Sequence, residues 1–273
     1  MNTIKIVGRS INLISYLSPS LAAKLAVKVF STPREAKLSE EAIQYLDSTE
    51  QTELNYDDFK IRTYRWKGKN KTILLAHGWD SNSFRWKDLI ELLKQKNHNI
   101  IAIDAPAHGA SGNKIFNAPL YSECIKIAVE TFNPYCVIGH SIGGTASVIA
   151  QENHNLSSIE KIVLLGAPSN LAISVGNYVN IMGYNKTVEK AIDRYYLKRF
   201  NHLPEYYNVE NFFSNIKAQG LIIHDRKDRI ISYKEALDIH RAYKNSTLVK
   251  TIGLGHRLKS ENVYQHILNF LED

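Results

Sequence analysis

Val137-Ile138-Gly139-His140-Ser141-Ile142-Gly143-Gly144 carries an apolar run straight into the pattern Gly-x-Ser-x-Gly. Such a pattern calls for a sharp strand-to-helix turn that lifts the Ser141 hydroxyl off the end of a sheet, because larger side chains two positions to either side would collide across the turn. The flanks agree. Residues 135–138 are short and apolar, as a buried strand should be, and residues 145–151 suit a helix.

A serine hydroxyl is barely acidic at neutral pH, so Ser141 needs a base to take its proton and a third group to orient that base. Two later turns supply candidates. Residues 220–224 form an apolar strand that runs into Asp225-Arg226-Lys227-Asp228-Arg229; Asp228 is the candidate acid and Asp225 the alternative. Residues 247–252 read as a last strand, followed by Gly253-Leu254-Gly255-His256 and a helical stretch at 262–271, which makes His256 the candidate base.

Strands and helical segments alternate from Leu74 onward, with strands at 99–104, 135–139, 161–166, 220–224 and 247–252. The fold class is therefore α/β, a doubly wound, mainly parallel sheet with helices on both faces. A hairpin over 53–55 and 60–66, turning at Asp57-Asp58, precedes it. With 273 residues, 44% of them hydrophobic, and no internal repeat, the chain reads as a single domain over 1–273. The stretch between Pro168 and Gly220 is too long for one crossover helix. A helical cap insertion is expected over 170–217, with Tyr178, Met182 and Tyr195 on its apolar faces as candidate substrate-binding residues.

Five ordered segments together resemble the α/β-hydrolase superfamily of serine hydrolases. They are Leu74-Leu75-Ala76-His77-Gly78-Trp79, Asp104-Ala105-Pro106-Ala107-His108-Gly109-Ala110-Ser111, the pentapeptide at Ser141, Ile222-Ile223-His224-Asp225-Arg226-Lys227-Asp228, and Gly255-His256. The resemblance implies a triad of Ser141, Asp228 and His256, in that chain order, and an oxyanion hole made by the backbone amides of Trp79 and Ile142. It also implies a Trp79 indole at the mouth of the acyl pocket and a cap that shapes the substrate site. Asp225 stands where the superfamily's Gly-x-x-Asp usually has Gly, so the acid role falls to Asp228. The implied activity is hydrolysis of a carboxylic ester or thioester through an acyl-enzyme. Carbon-carbon bond hydrolysis, acyl transfer and a non-enzymatic small-molecule receptor are the other uses of this fold. A serine at 141, rather than an aspartate, argues against chemistry that needs a carboxylate nucleophile.

Other chemistries lack their signatures. The ten histidines show no metal-ligand spacing backed by carboxylates, and no Gly-x-Gly-x-x-Gly or Walker-type Gly-Lys-Ser follows the first strand, so neither a metal nor a cofactor is expected. The charge is +7, from 34 basic and 27 acidic residues, and the basic residues read as spread along the chain. The basic run from Lys60 to Lys71 reads as a solvated hairpin face, so no nucleic-acid partner is expected. Cys124 and Cys136 read as buried free thiols. Residues 4–30 are apolar but interrupted by Arg9, Pro19 and Lys24, which suits an amphipathic helix pair packed on the domain better than a membrane span or contact. Cytoplasmic residence is the expectation, and oligomeric state is not legible.

Overall fold

The computed structural model describes residues 3–34 and 37–272. It opens with helices α1 (Thr3–Leu17), α2 (Pro19–Ser31) and α3 (Glu40–Asp47), then the hairpin β1 (Glu50–Tyr56) and β2 (Phe59–Trp66). Alternation follows: β3 (Asn70–Ala76), α4 (Lys87–Gln95), β4 (His98–Ile103), α5 (Ala118–Phe132), β5 (Cys136–His140), α6 (Ile142–His154) and β6 (Lys161–Leu165). Two further helices, α7 (Leu171–Met182) and α8 (Lys186–Phe200), precede β7 (Gln219–Asp225), α9 (Tyr233–Ala242), β8 (Ser246–Thr251) and α10 (Glu261–Glu272).

The eight strands form one sheet in the order β1-β2-β4-β3-β5-β6-β7-β8. The first two are antiparallel additions and the remaining six run parallel. Every residue of β5 and β6 is buried, and both are apolar at their centres, with His140 ending β5 and Lys161 opening β6: a parallel strand has helices over both its faces. On one face Ile73, Leu75, Ile138 and Val163 pack with Leu89 and Leu93 of α4 and Ile267 of α10. Cys124 and Cys136 are free and buried. Because β4 and β5 flank β3, the chain leaves β3 toward opposite edges, and the carboxyl ends of β3 and β5 open a crevice at this switch point.

The chain separates into two compact units. The larger holds the sheet. The smaller joins α1 and α2 to Asn170–Asn208, so the second segment ends earlier than the 217 expected from the sequence. Phe212, Phe213 and Ile216 are buried in the larger unit, where Phe213 stacks on Tyr243 with ring centroids 4.4 Å apart. The N-terminal pair, expected on the main domain, instead completes the smaller unit. Ala22, Ala23 and Ala26 are buried, giving α2 a small-residue face along α8. Asn12 closes the arrangement, donating to the Gly183 carbonyl at 2.8 Å and accepting from the Asn185 amide at 2.9 Å. Among the described residues no helix is long and apolar enough to cross a membrane.

Candidate active site

Ser141 sits between β5 and α6 at φ 52° and ψ −129°. A non-glycine residue in such backbone stores roughly 1–3 kcal/mol, so the surroundings must hold it there. They do so closely. The Ser141 amide donates to the Leu165 carbonyl at 2.8 Å, and its carbonyl accepts from Gly144 at 2.9 Å. A Cβ on Gly143 would strike the carbonyls of Ala76 and His77, and one on Gly78 would stand 2.8 Å from the Ser141 Cβ. The elbow is therefore pressed against the end of β3, which explains why the sequence is small at both contact points.

Three of the expected residues meet there. Ser141 Oγ lies 3.0 Å from His256 Nε2, and His256 Nδ1 lies 2.7 Å from Asp228 Oδ2. A carboxylate only accepts, so Nδ1 carries the proton and Nε2 is left as the acceptor for the serine hydroxyl. Burial opposes charge on Asp228, yet hydrogen bonds from His256 and from the amides of Ile231 and Ile230 outweigh it and hold the carboxyl below its ordinary 3.8. It stays ionised near neutrality.

The alternative acid, Asp225, does different work. Its side chain is fully buried and accepts from Lys227 N (2.8 Å), Leu254 N (2.9 Å), Gly253 N (3.2 Å) and Thr251 Oγ1 (2.8 Å). It thereby ties the end of β7 to the loop that carries His256. Two more donors grip that loop: His140 Nε2 donates to the His256 carbonyl at 2.8 Å, and Arg85 to the Arg257 carbonyl at 3.0 Å. Burial and the nearby Arg85 charge push His140 well below the usual imidazole range, so it serves as a neutral donor.

A second buried network shapes the end of β3. The Ala105 amide donates to His77 Nε2 at 2.9 Å, which puts the proton on Nδ1 and directs it to the Gly78 carbonyl at 2.7 Å. Because the Gly78–Trp79 peptide is planar and trans, fixing that carbonyl also fixes the Trp79 N–H, which points the opposite way. Asp104, fully buried, receives Ser83 N and Oγ, Tyr64 OH and Ala110 N, and so joins the loops after β3 and β4. The Trp79 indole is half-buried and meets the rings of Phe116 and His108 edge-on at 5.3 and 5.9 Å. Ile142 opens α6, in whose first turn backbone amides have no helical partner.

The residues expected to bind substrate lie in the smaller unit. Tyr178 donates to the Ala26 carbonyl at 2.8 Å and meets the tilted ring of Phe30 at 4.5 Å between centroids, and Met182 is buried. Tyr195 is half-buried along a cavity within that unit. Sequence reasoning takes His77 and His140 as loop or turn residues hydrogen-bonding near the site but names no partner for either, and it gives Asp104 no role; the pairs His77-Gly78 and His140-Ser141 were the available signal. Among the described residues no three His, Cys, Asp or Glu side chains cluster to hold a metal ion.

A family model for the alpha/beta hydrolase family matches residues 73–258. The chain belongs to that family. A serine hydrolase-like protein of Danio rerio is 25% identical over 172 residues, covering 61% of this chain and 44% of its own length. The chain thus spans less than half of the first curated relatives it matches. The esterase Pf2001 of Pyrococcus furiosus shares 20% identity at a TM-score of 0.69, over 89% of this chain and 97% of that one. The thioesterase domain from the curacin biosynthetic pathway shares 12% identity at a TM-score of 0.61, over 83% and 100%. At these identities the two structures speak for the fold alone.

Proposed function

We propose that the protein is a cofactor-independent serine hydrolase that cleaves a carboxylic ester or thioester through an acyl-enzyme. The observation that carries this reading is the unbroken chain from Ser141 Oγ to His256 Nε2 (3.0 Å) and from His256 Nδ1 to Asp228 (2.7 Å). As Ser141 attacks the carbonyl carbon, its proton passes to His256 Nε2, and Asp228 stabilises the imidazolium. The same nitrogen then protonates the departing alcohol or thiol. Water, deprotonated by His256 in the second half-reaction, releases the acid and restores Ser141.

The negative charge that develops on the carbonyl oxygen falls to the amides of Trp79 and Ile142, a contribution worth about 3 kcal/mol per donor in comparable sites. The orientation of the Gly78–Trp79 peptide, held by His77, supports the first of these. Ester and thioester share this chemistry, and the esterase and thioesterase likenesses agree with either leaving group.

A fluorophosphonate probe tests the reading. It should label the protein at Ser141 and fail on Ser141→Ala and His256→Ala. Hydrolysis of p-nitrophenyl acetate beside an acyl-CoA thioester then ranks the leaving groups. Labelling without turnover of either substrate would favour a receptor that keeps a reactive serine.

A further inference from the structure

The smaller unit has a surface unlike the rest of the chain. Of the fourteen large apolar side chains exposed among the described residues, ten lie within it, although it holds about a quarter of the chain. It also carries nine basic residues against three acidic ones, a net +6 of the chain's +7. Basic residues are no denser here than elsewhere, as the sequence reads; the net charge gathers in this unit because acidic residues are scarce in it.

On α1 the two features are ordered. Gly8, Ile11 and Ser15 form its buried stripe. Ile6, Leu13 and Leu17, spaced seven and four apart, occupy the opposite side at 41, 68 and 93% exposure, and Tyr16 flanks them at 75%. A helix apolar on both faces has one face left to cover. Two residues beyond Leu17, Pro19 and Ser20 begin the wall of a cavity of about 450 Å³, whose charged lining is Lys24, Arg194, Lys198 and Arg199. Among the described residues none of these four forms an ion pair with a carboxylate. Arg194 and Arg199 reach only the Lys190 carbonyl and the Phe200 ring.

An apolar stripe beside unpaired cations matches a surface that offers acyl chains below and phosphates above. We propose that the smaller unit docks on an anionic phospholipid bilayer, with Leu13, Tyr16 and Leu17 entering the interface and the cavity of Lys24, Arg194, Lys198 and Arg199 receiving lipid phosphates. A second copy of this chain would have to present negative charge to this patch, and the unit repels its own kind. The docking is independent of the hydrolytic reading, since it involves no residue of the Ser141 site.

Vesicle sedimentation of the full chain tests it, with no turnover measured. The protein should bind vesicles of phosphatidylcholine mixed with phosphatidylglycerol, leave vesicles of phosphatidylcholine alone, and release from the mixed vesicles as salt is raised. The variant Lys24→Gln/Lys198→Gln/Arg199→Gln should lose binding by about a hundredfold, at about fivefold per cation near the surface. Leu13→Ser/Leu17→Ser, both at exposed positions, should lose at least about tenfold while keeping the wild-type melting temperature. Equal binding to the neutral vesicles, or unchanged binding in both variants, would overturn the proposal. So would a dimer that Leu13→Ser/Leu17→Ser dissolves in a protein that ignores vesicles, or saturable binding of inorganic phosphate without any binding to lipid.

Discussion

The switch point around Ser141 and the smaller unit around α1 solve opposite problems. At the switch point polar groups are buried and matched: Asp225 and Asp104 each receive four donors, and His77 and His140 each hold one carbonyl in place. Exposed lysines of the larger unit are matched too, Lys60, Lys71, Lys87 and Lys96 each having a glutamate within about 3 Å. In the smaller unit the cations around its cavity lack such carboxylates, and large apolar side chains face outward. One region meets most of its polar needs within the chain, with His140 Nδ1 and His224 Nδ1 buried without a partner among the described residues. The other presents surface that only a second phase or partner satisfies. The contrast teaches that preorganisation, which catalysis requires, and adhesion, which requires unmatched groups, are kept on different elements.

The sharpest way to break this contrast is to remove Ser141. Ser141→Ala should lower kcat for a soluble ester by about 10⁵-fold or more, and Ser141→Ala/His256→Ala should be hardly worse, because these groups act as one unit. Alanine at the same strained φ leaves the fold in place, so the melting temperature should stay close to wild type. A rate within tenfold of wild type would remove Ser141 from the mechanism.

Next in size is the separation of the two aspartates. Asp228→Asn should cost about 10⁴-fold in kcat, since an amide in place of the carboxylate favours the wrong imidazole tautomer. Asp225→Asn replaces an ion with four donors by a group that accepts fewer, and should cost about 2–4 kcal/mol in chemical denaturation. The ratio of the two effects is the measurement. If Asp225→Asn instead kept full stability and lost all activity, the acid would be Asp225.

How much of this was legible follows the same division. The positions of Ser141, Asp228 and His256 could be read because each follows an apolar run that reads as a strand, and at Ser141 the turn also demands small neighbours. The parallel sheet could be read because burial on both faces leaves β5 and β6 apolar at their centres, with His140 and Lys161 only at strand ends. The union of α1 and α2 with α7 and α8 could not. It rests on pairs such as Asn12 with Gly183 and Asn185, more than 170 residues apart, and an apolar stripe states that a face is covered without stating by what. The same ambiguity put Tyr178 and Met182 forward as substrate contacts; in the structure Tyr178 donates to the Ala26 carbonyl of α2 and Met182 is buried. Asp225 was readable as a turn residue, but its hold on the His256 loop is a contact between β7 and the segment after β8.

A pH profile sharpens the account of the matched region. His256 must be neutral to accept the Ser141 proton, so kcat/KM should fall tenfold per pH unit on the acid limb, with a slope of one. Asp228, held below 3.8, stays charged until lower pH and should add no second proton to that limb above about pH 4. The sign for folding agrees. A carboxyl lowered in the folded state stabilises the protein above its unfolded pKa, and that contribution is lost as pH falls through the lowered value. Asp225 and Asp228 both act in this direction, whereas Asp104, pushed up by burial, acts in the opposite one. A limb of slope two above about pH 4 would show that the hydrogen bonds assigned to the Asp228 carboxylate are not holding it ionised.

The smallest expected effect on activity lies in the smaller unit. Met182 is 4% exposed, so Met182→Ala should open a cavity and cost about 2–4 kcal/mol of that unit's stability. Tyr178→Phe removes one hydrogen bond to the Ala26 carbonyl and another to the Tyr184 hydroxyl while keeping the ring on Phe30, and should cost about 1 kcal/mol. If these side chains are packing elements and not pocket walls, neither change should alter the ratio of kcat/KM for acetate and octanoate esters by more than about twofold. Urea denaturation of both variants, read beside that ratio, separates the two roles. A pocket wall would shift chain-length preference ten- to a hundredfold, at roughly 1–3 kcal/mol per methylene, with little loss of stability. Such a result would move Tyr178 and Met182 into the substrate site and make the smaller unit part of the machinery from which it is here distinguished.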